Sequence, residues 1–164
     1  SVESNDGIYF VSAFTGLGAP YWRATGGAWF SGLSRASGKA HMVRAALEGV
    51  CYQTRDVLAC MRRDTGVELN RLRVDGGMTA NGWMLQFLAD QCQVMVQKPV
   101  DIESTSKGAE FLAGLGQGIY TSLEAIASVN PVDREFTTQR TPETIARDYQ
   151  GWCEALGICD DRPF

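Results

Sequence analysis

The stretch Leu72–Phe87, LRVDGGMTANGWMLQF, decides how the chain is read. A short strand-like run ends at Asp75, Gly76 and Gly77, and an amphipathic helical run follows at once. Two glycines at such a junction permit positive φ in a tight turn and remove the Cβ atoms that would hold a ligand off the backbone. A helix N-terminus offers unpaired N–H groups and a partial positive charge, so it favours anions. Asn81, at the start of the helix, can present an amide to a ribose, base or phosphate. The competing reading is that Gly76 and Gly77 only close a tight connection, with Thr79 or Asn81 capping the helix. A double glycine does not separate the two, and no GxxxxGK[ST] or GxGxxG occurs.

Outward from this corner, the pattern alternates. Gly7–Phe14 and Gly26–Leu33 read as strands around a Gly/Pro loop, and Ser37 is a candidate N-cap. Lys39–Arg63 carries a strong helical period: Met42, Val43, Ala46, Leu47, Val50, Cys51, Val57, Leu58 and Met61 recur at three-and-four spacing, with Arg44, Glu48, Arg55 and Asp56 off that stripe. Asn81–Gln91 reads as a helix, QVMVQKP as a strand stopped at Pro99, and Ser106–Tyr120 as a helix. Residues 128–141 are polar and predict irregular surface chain, and Glu143–Ala155 a last helix before a tail. Strand–helix alternation predicts a mixed or parallel sheet with helices against it, in which ligands sit beyond the carboxyl ends of strands. The Asp75-Gly76-Gly77 corner lies at such an end.

Composition sets the class. The chain has 164 residues, 45% hydrophobic and 21% charged, enough to bury a core as a single domain. A net charge of −4 with scattered basic residues argues against a nucleic-acid or anionic-membrane surface. The pair Arg62-Arg63 beside Asp64 reads as a solvated helix face. Five cysteines, an odd number with no CxxC, point to free thiols in a reducing compartment rather than disulfides or a metal centre. With no basic-then-apolar leader and no window of about 18 apolar residues, the expectation is a cytoplasmic chain. The absence of an initiator Met suggests a piece of a longer protein.

Other candidates are weaker. Gly108, Ala109, Ala113 and Gly114 keep one helical stripe small, either for close packing on a sheet or for room beside a nucleotide. His41, the single histidine, reads as a cap or surface residue rather than a catalytic base. Asp160-Asp161 in the tail reads as solvated.

FTGLGAPYW (Phe14–Trp22), GLSRASGKAHMVRAALEGVCYQTRDVL (Gly32–Leu58), LRVDGGMTANGWMLQFLAD (Leu72–Asp90) and KGAEFLAGLGQGIY (Lys107–Tyr120) together resemble the C-terminal half of the glycerol kinases, within the FGGY carbohydrate kinases. The resemblance runs from Gly7 to Trp152 in the family's order. It implies part of an actin/hexokinase-like (ribonuclease H-like) ATPase domain, α/β, with a core over 7–127 and a surface segment, helix and tail over 128–164. It implies ATP/ADP with Mg2+ against this domain, Gly77 and Asn81 touching the nucleotide with Gly76 beside them, and no catalytic residue or magnesium ligand in this chain. The activity implied is ATP-dependent phosphorylation of glycerol to sn-glycerol 3-phosphate, with glycerol, the general base and the first phosphate loop supplied by the preceding half. This chain alone would then be inactive, and the whole protein a homo-oligomer. Two alternatives stay open: an inactive remnant serving as a binding or oligomerisation domain, and a piece of another FGGY sugar kinase such as a xylulokinase. The sequence departs from the pattern at Arg23-Ala24 and Gly27-Ala28, where the family has Asp-Pro and Arg-Gly. It departs again at Lys107 and Glu110, where the family has small apolar residues.

Overall fold

A computed structural model of the protein describes residues 2–24, 26–127 and 129–157. In chain order its elements are strands β1 (Tyr9–Val11) and β2 (Trp29–Ser31), helix α1 (Lys39–Thr65), strand β3 (Arg71–Arg73), a 3-10 turn (Gly77–Ala80), and helix α2 (Gly82–Cys92). Strand β4 (Met95–Pro99), helices α3 (Ser104–Gly116) and α4 (Leu123–Ala127), strand β5 (Val132–Phe136) and helix α5 (Pro142–Leu156) follow. The expected α/β class and mixed sheet are present. β3 pairs parallel to β4, with Leu72 opposite Val96, and β5 runs antiparallel on the other side of β4, with Phe136 opposite Val96. β1 and β2 form a separate antiparallel ribbon, Phe10 opposite Phe30.

The core lies where α1 crosses β1, α2 and α5. Tyr52 stacks on Trp152 with ring centres 5.4 Å apart and meets Phe87 edge-on at 5.6 Å. Such pairs add about 0.5–1.5 kcal/mol beyond the burial of their area. Cys51, Leu85, Val11 and Val96 fill the space around them and are wholly buried. Two glycines set the approach distances: a Cβ on Gly49 would stand 2.4 Å from the Phe10 carbonyl oxygen, and one on Gly151 2.1 Å from the Tyr9 hydroxyl. Among the described residues no helix is long and apolar enough to cross a membrane.

The buried face of α1 is rotated from the expected stripe. Ala45, Glu48, Gly49, Cys51, Tyr52 and Asp56 point inward, while Val43 and Met61 are about half exposed. The two acids enter because remote donors satisfy them, as buried charge requires. Glu48 accepts from Arg44 Nε at 2.8 Å and Asn5 Nδ2 at 2.7 Å. Asp56 accepts from Trp152 Nε1 at 2.9 Å and from the Tyr149 hydroxyl. Arg63 pairs with Asp64 on an exposed face, as expected.

Several boundaries moved. The N-cap of α1 is Gly38, not Ser37: Ser37 Oγ accepts the Ser34 N–H at 2.8 Å inside the preceding turn. His41 completes the cap by accepting the Gly38 N–H on Nδ1 at 3.1 Å. The segment expected as irregular surface chain over 128–141 contains β5, whose side chains are exposed except Phe136. Backbone pairing holds it, helped by Gln97 Nε2 donating to Glu135 Oε1 at 2.7 Å and by the Lys98–Asp133 ion pair at 3.4 Å. In α3 the small stripe does not seat the helix on the sheet: a Cβ on Gly114 would meet the Tyr120 ring at 2.6 Å, and Gly108 faces open space. Asp160-Asp161 and Cys159 lie outside the described residues.

Candidate functional site

The corner is built from the end of β3. The Val74 N–H donates to the Gln97 carbonyl at 3.0 Å, extending the β3–β4 pairing one residue past Arg73. The chain then turns at Gly76, whose φ of 86° lies in the left-handed region that a side chain disfavours. The Gly76 N–H donates to the Ile102 carbonyl at 2.9 Å, fastening the corner to the loop between β4 and α3. Its own carbonyl accepts two bonds from Thr79, from the N–H at 3.0 Å and from the buried hydroxyl at 2.6 Å. These bonds wind Gly77–Ala80 into the 3-10 turn, and the Gly77 and Met78 N–H groups open that turn with no acceptor within it.

Gly77 is different from Gly76. Its φ is not positive, and a Cβ placed on it would find no atom within 4 Å. Neither backbone strain nor packing among the described residues requires a glycine there. Asn81 stands four residues on as the N-cap of α2, its Oδ1 accepting the Met84 N–H at 3.2 Å. Of the two capping candidates, Asn81 is the cap of α2, whereas Thr79 turns back and donates to the Gly76 carbonyl inside the 3-10 turn. The Asn81 oxygen is engaged in its cap. Asn81 also lines a 290 Å³ hollow with Leu47, Arg44 and Trp83, where the Arg44 guanidinium lies 4.7 Å from the Trp83 ring centre.

On the far side of the corner, Lys107 in the first turn of α3 pairs with Asp101 at 3.5 Å and Glu110 at 3.4 Å. Glu110 first, then Asp101, hold its ammonium pKa above the ordinary lysine value. Gly76, Gly77 and Asn81 therefore sit together on one open turn, as the sequence pattern places them. Sequence reading gave Thr79 a capping role rather than this one, and missed the Ile102 carbonyl and, behind it, Asn130, whose side chain bonds the Asp101 N–H and carbonyl. No local signal marks the last two, since each acts through a pairing distant in sequence.

Residues 1–116 match the C-terminal domain of the FGGY family of carbohydrate kinases. The chain is 47% identical to a Coxiella burnetii glycerol kinase over 156 residues, covering 95% of this chain and 31% of that protein. It is 49% identical to a Xanthomonas campestris glycerol kinase over 152 residues, 93% of this chain and 30% of that one. A Plasmodium falciparum glycerol kinase solved with ADP superposes with a TM-score of 0.82 at 32% identity, over 99% of this chain and 32% of that structure. The chain thus spans under a third of the length of these relatives, and its fold is the corresponding part of their actin-like ATPase fold. The chain belongs to the FGGY family of carbohydrate kinases.

Proposed function

We propose that this chain supplies the nucleotide side of an ATP-dependent glycerol kinase, the whole protein moving the γ-phosphoryl group of ATP to a terminal hydroxyl of glycerol. Gly77 carries the reading. Neither strain nor packing demands glycine at Gly77, which is equally true of Gly18, Gly26, Gly108 and Gly116. What sets Gly77 apart is its place just beyond the carboxyl end of β3, opening the 3-10 turn, where bare backbone lets a ligand approach. The names of the glycerol kinase relatives and the ADP in the Plasmodium structure support the choice of ligand and substrate.

In this reading Gly76 and Gly77 offer bare backbone to the nucleotide and Asn81 offers its Nδ2. Magnesium, if bound with the nucleotide, would supply charge neutralisation at the phosphates. Among the described residues no three His, Cys, Asp or Glu side chains gather to hold a metal ion, so none is assigned to it. Phosphoryl transfer rests on positioning and charge stabilisation from both walls of a cleft. The 164 residues by themselves are accordingly expected to bind ADP weakly and to turn over no glycerol.

The test is calorimetric titration of ADP into the chain and its Gly77→Val variant. Open space at that position lets the variant fold with an unchanged far-UV spectrum, while the isopropyl group occupies the space required by the nucleotide. ADP affinity should fall by more than about tenfold, the equivalent of about 1.4 kcal/mol. Unchanged affinity in a folded variant would overturn the assignment.

A further inference from the structure

The place of Gly76 depends on residues 100–103, because its N–H donates to the Ile102 carbonyl at 2.9 Å. That loop has no regular structure of its own, and Asn130 grips it from the far side. Asn130 Oδ1 accepts the Asp101 N–H at 3.0 Å, and its Nδ2 donates to the Asp101 carbonyl at 2.9 Å. One side-chain amide thus fixes both peptide units flanking Asp101, and the next carbonyl along the chain is the one that receives Gly76. The Val100 N–H donates to the Pro131 carbonyl at 3.0 Å, repeating the grip one residue earlier. Arg73, three residues before Gly76, donates through Nη2 to the Asn130 carbonyl. The bonds form a ring: Arg73, Asn130, Asp101, Ile102, Gly76 and back along the chain to Arg73. A 250 Å³ hollow beside it is lined by Arg73, Lys107, Phe111 and Asn130.

We propose that Asn130 is a positioning residue for the glycine corner, setting the backbone of Gly76 and through it the affinity for nucleotide. This rests on the nucleotide reading of that corner, and Asn130 lies beyond the family-matched residues 1–116. It touches no ligand; it acts through Asp101 and Ile102. A direct consequence is that loosening the Asn130 grip frees the Gly76 amide without unfolding the sheet.

Asn130→Ala removes both side-chain bonds. Site-resolved amide exchange on the 164-residue chain should show Gly76 exchanging about tenfold faster, while Leu85–Ala89 and the unfolding midpoint keep their values. The ADP dissociation constant should rise about three- to tenfold, the range for about one lost net hydrogen bond. Asn130→Asp keeps the acceptor for the Asp101 N–H and loses the donor, so it should restore part of both effects. Arg73→Met opens the ring at its other side and should give a smaller change of the same sign, which serves if the alanine variant does not fold. Unchanged Gly76 exchange in these folded variants overturns the positioning role. Faster exchange with unchanged ADP affinity overturns its link to the ligand. Faster exchange in a chain that binds no ADP even as wild type supports the grip on Gly76 and removes the nucleotide reading instead.

Discussion

Replacing Asp56 should change both the stability of the chain and its response to pH. The carboxylate is wholly buried and accepts bonds from Trp152 Nε1 and the Tyr149 hydroxyl. It therefore ties α1 to α5. Burial raises its pKa, outweighing Tyr149, Tyr21, Trp152 and the nearby Arg55, which pull the other way. For an acid whose pKa is higher folded than unfolded, the stabilising contribution is full below the unfolded value of about 3.9 and is lost as pH rises through the folded value. Each unit of that rise corresponds to about 1.4 kcal/mol. Glu48, also raised chiefly by burial, adds a trend of the same sign, so the difference between variant and wild type isolates Asp56. Asp56→Asn keeps an acceptor for the Trp152 N–H, and its new amide can donate to the Tyr149 hydroxyl. Its stability should lie within about 1 kcal/mol of wild type at pH 5, with a flatter profile toward pH 8. Asp56→Ala leaves the buried Trp152 N–H without a partner and opens a void, costing about 3 kcal/mol in all. For a domain of this size that lowers Tm by about 10 °C. Urea unfolding at pH 5 and pH 8 is the assay. Parallel wild-type and Asp56→Asn profiles would refute the reasoning, as would an alanine variant as stable as wild type.

Gly49→Ala should destabilise the chain by about 1–2 kcal/mol in urea unfolding: the helix-propensity gain of about 1 kcal/mol is outweighed because the new methyl meets a backbone oxygen, Phe10 C=O, at 2.4 Å. Thr79→Val keeps the buried volume but removes the hydroxyl donating to the Gly76 carbonyl at 2.6 Å. It should cost about 1 kcal/mol in unfolding and weaken ADP binding a few-fold in calorimetry, through a looser 3-10 turn.

The elements that could be read from the sequence were those whose information is local. α1 and α2 carry helical periods over many residues, and the strand–glycine–helix grammar around Gly76 and Gly77 is written in consecutive letters. β5 could not be found that way. Four of its five residues are exposed, so no alternation marks it, and its pairing partner β4 lies some 35 residues earlier. The inward turn of Glu48 and Asp56 was hidden for the same reason. A hydrophobic-stripe argument places acids outside; Arg44 on the same helix pairs with Glu48, but the other donors, Asn5, Tyr149 and Trp152, are distant in sequence. In the site, glycines and a capping amide announce themselves, whereas the carbonyl of Ile102 and the grip of Asn130 exist only once β4 and β5 are paired.

The departures from the family pattern bear on whether the corner is a working site or an idle scaffold. Lys107 and Glu110 replace small apolar residues, which by itself would leave charges on a packing surface. The structure pairs them with each other at 3.4 Å and Lys107 with Asp101, in the loop before α3, at 3.5 Å, so both new charges find partners nearby. Arg23 stands where the family has the Asp of Asp-Pro, and its backbone still closes the Gly/Pro loop, exchanging bonds with Leu17 at 2.9 and 3.0 Å. Neither substitution contacts Gly76, Gly77 or Asn81 directly, although Lys107 pairs with Asp101, the residue before the Ile102 carbonyl that receives the Gly76 N–H. Open space over Gly77 is shared with Gly18, Gly26, Gly108 and Gly116. It is therefore the placing of that open backbone just beyond the end of β3, and not the space itself, that fits a nucleotide-binding corner better than an idle scaffold.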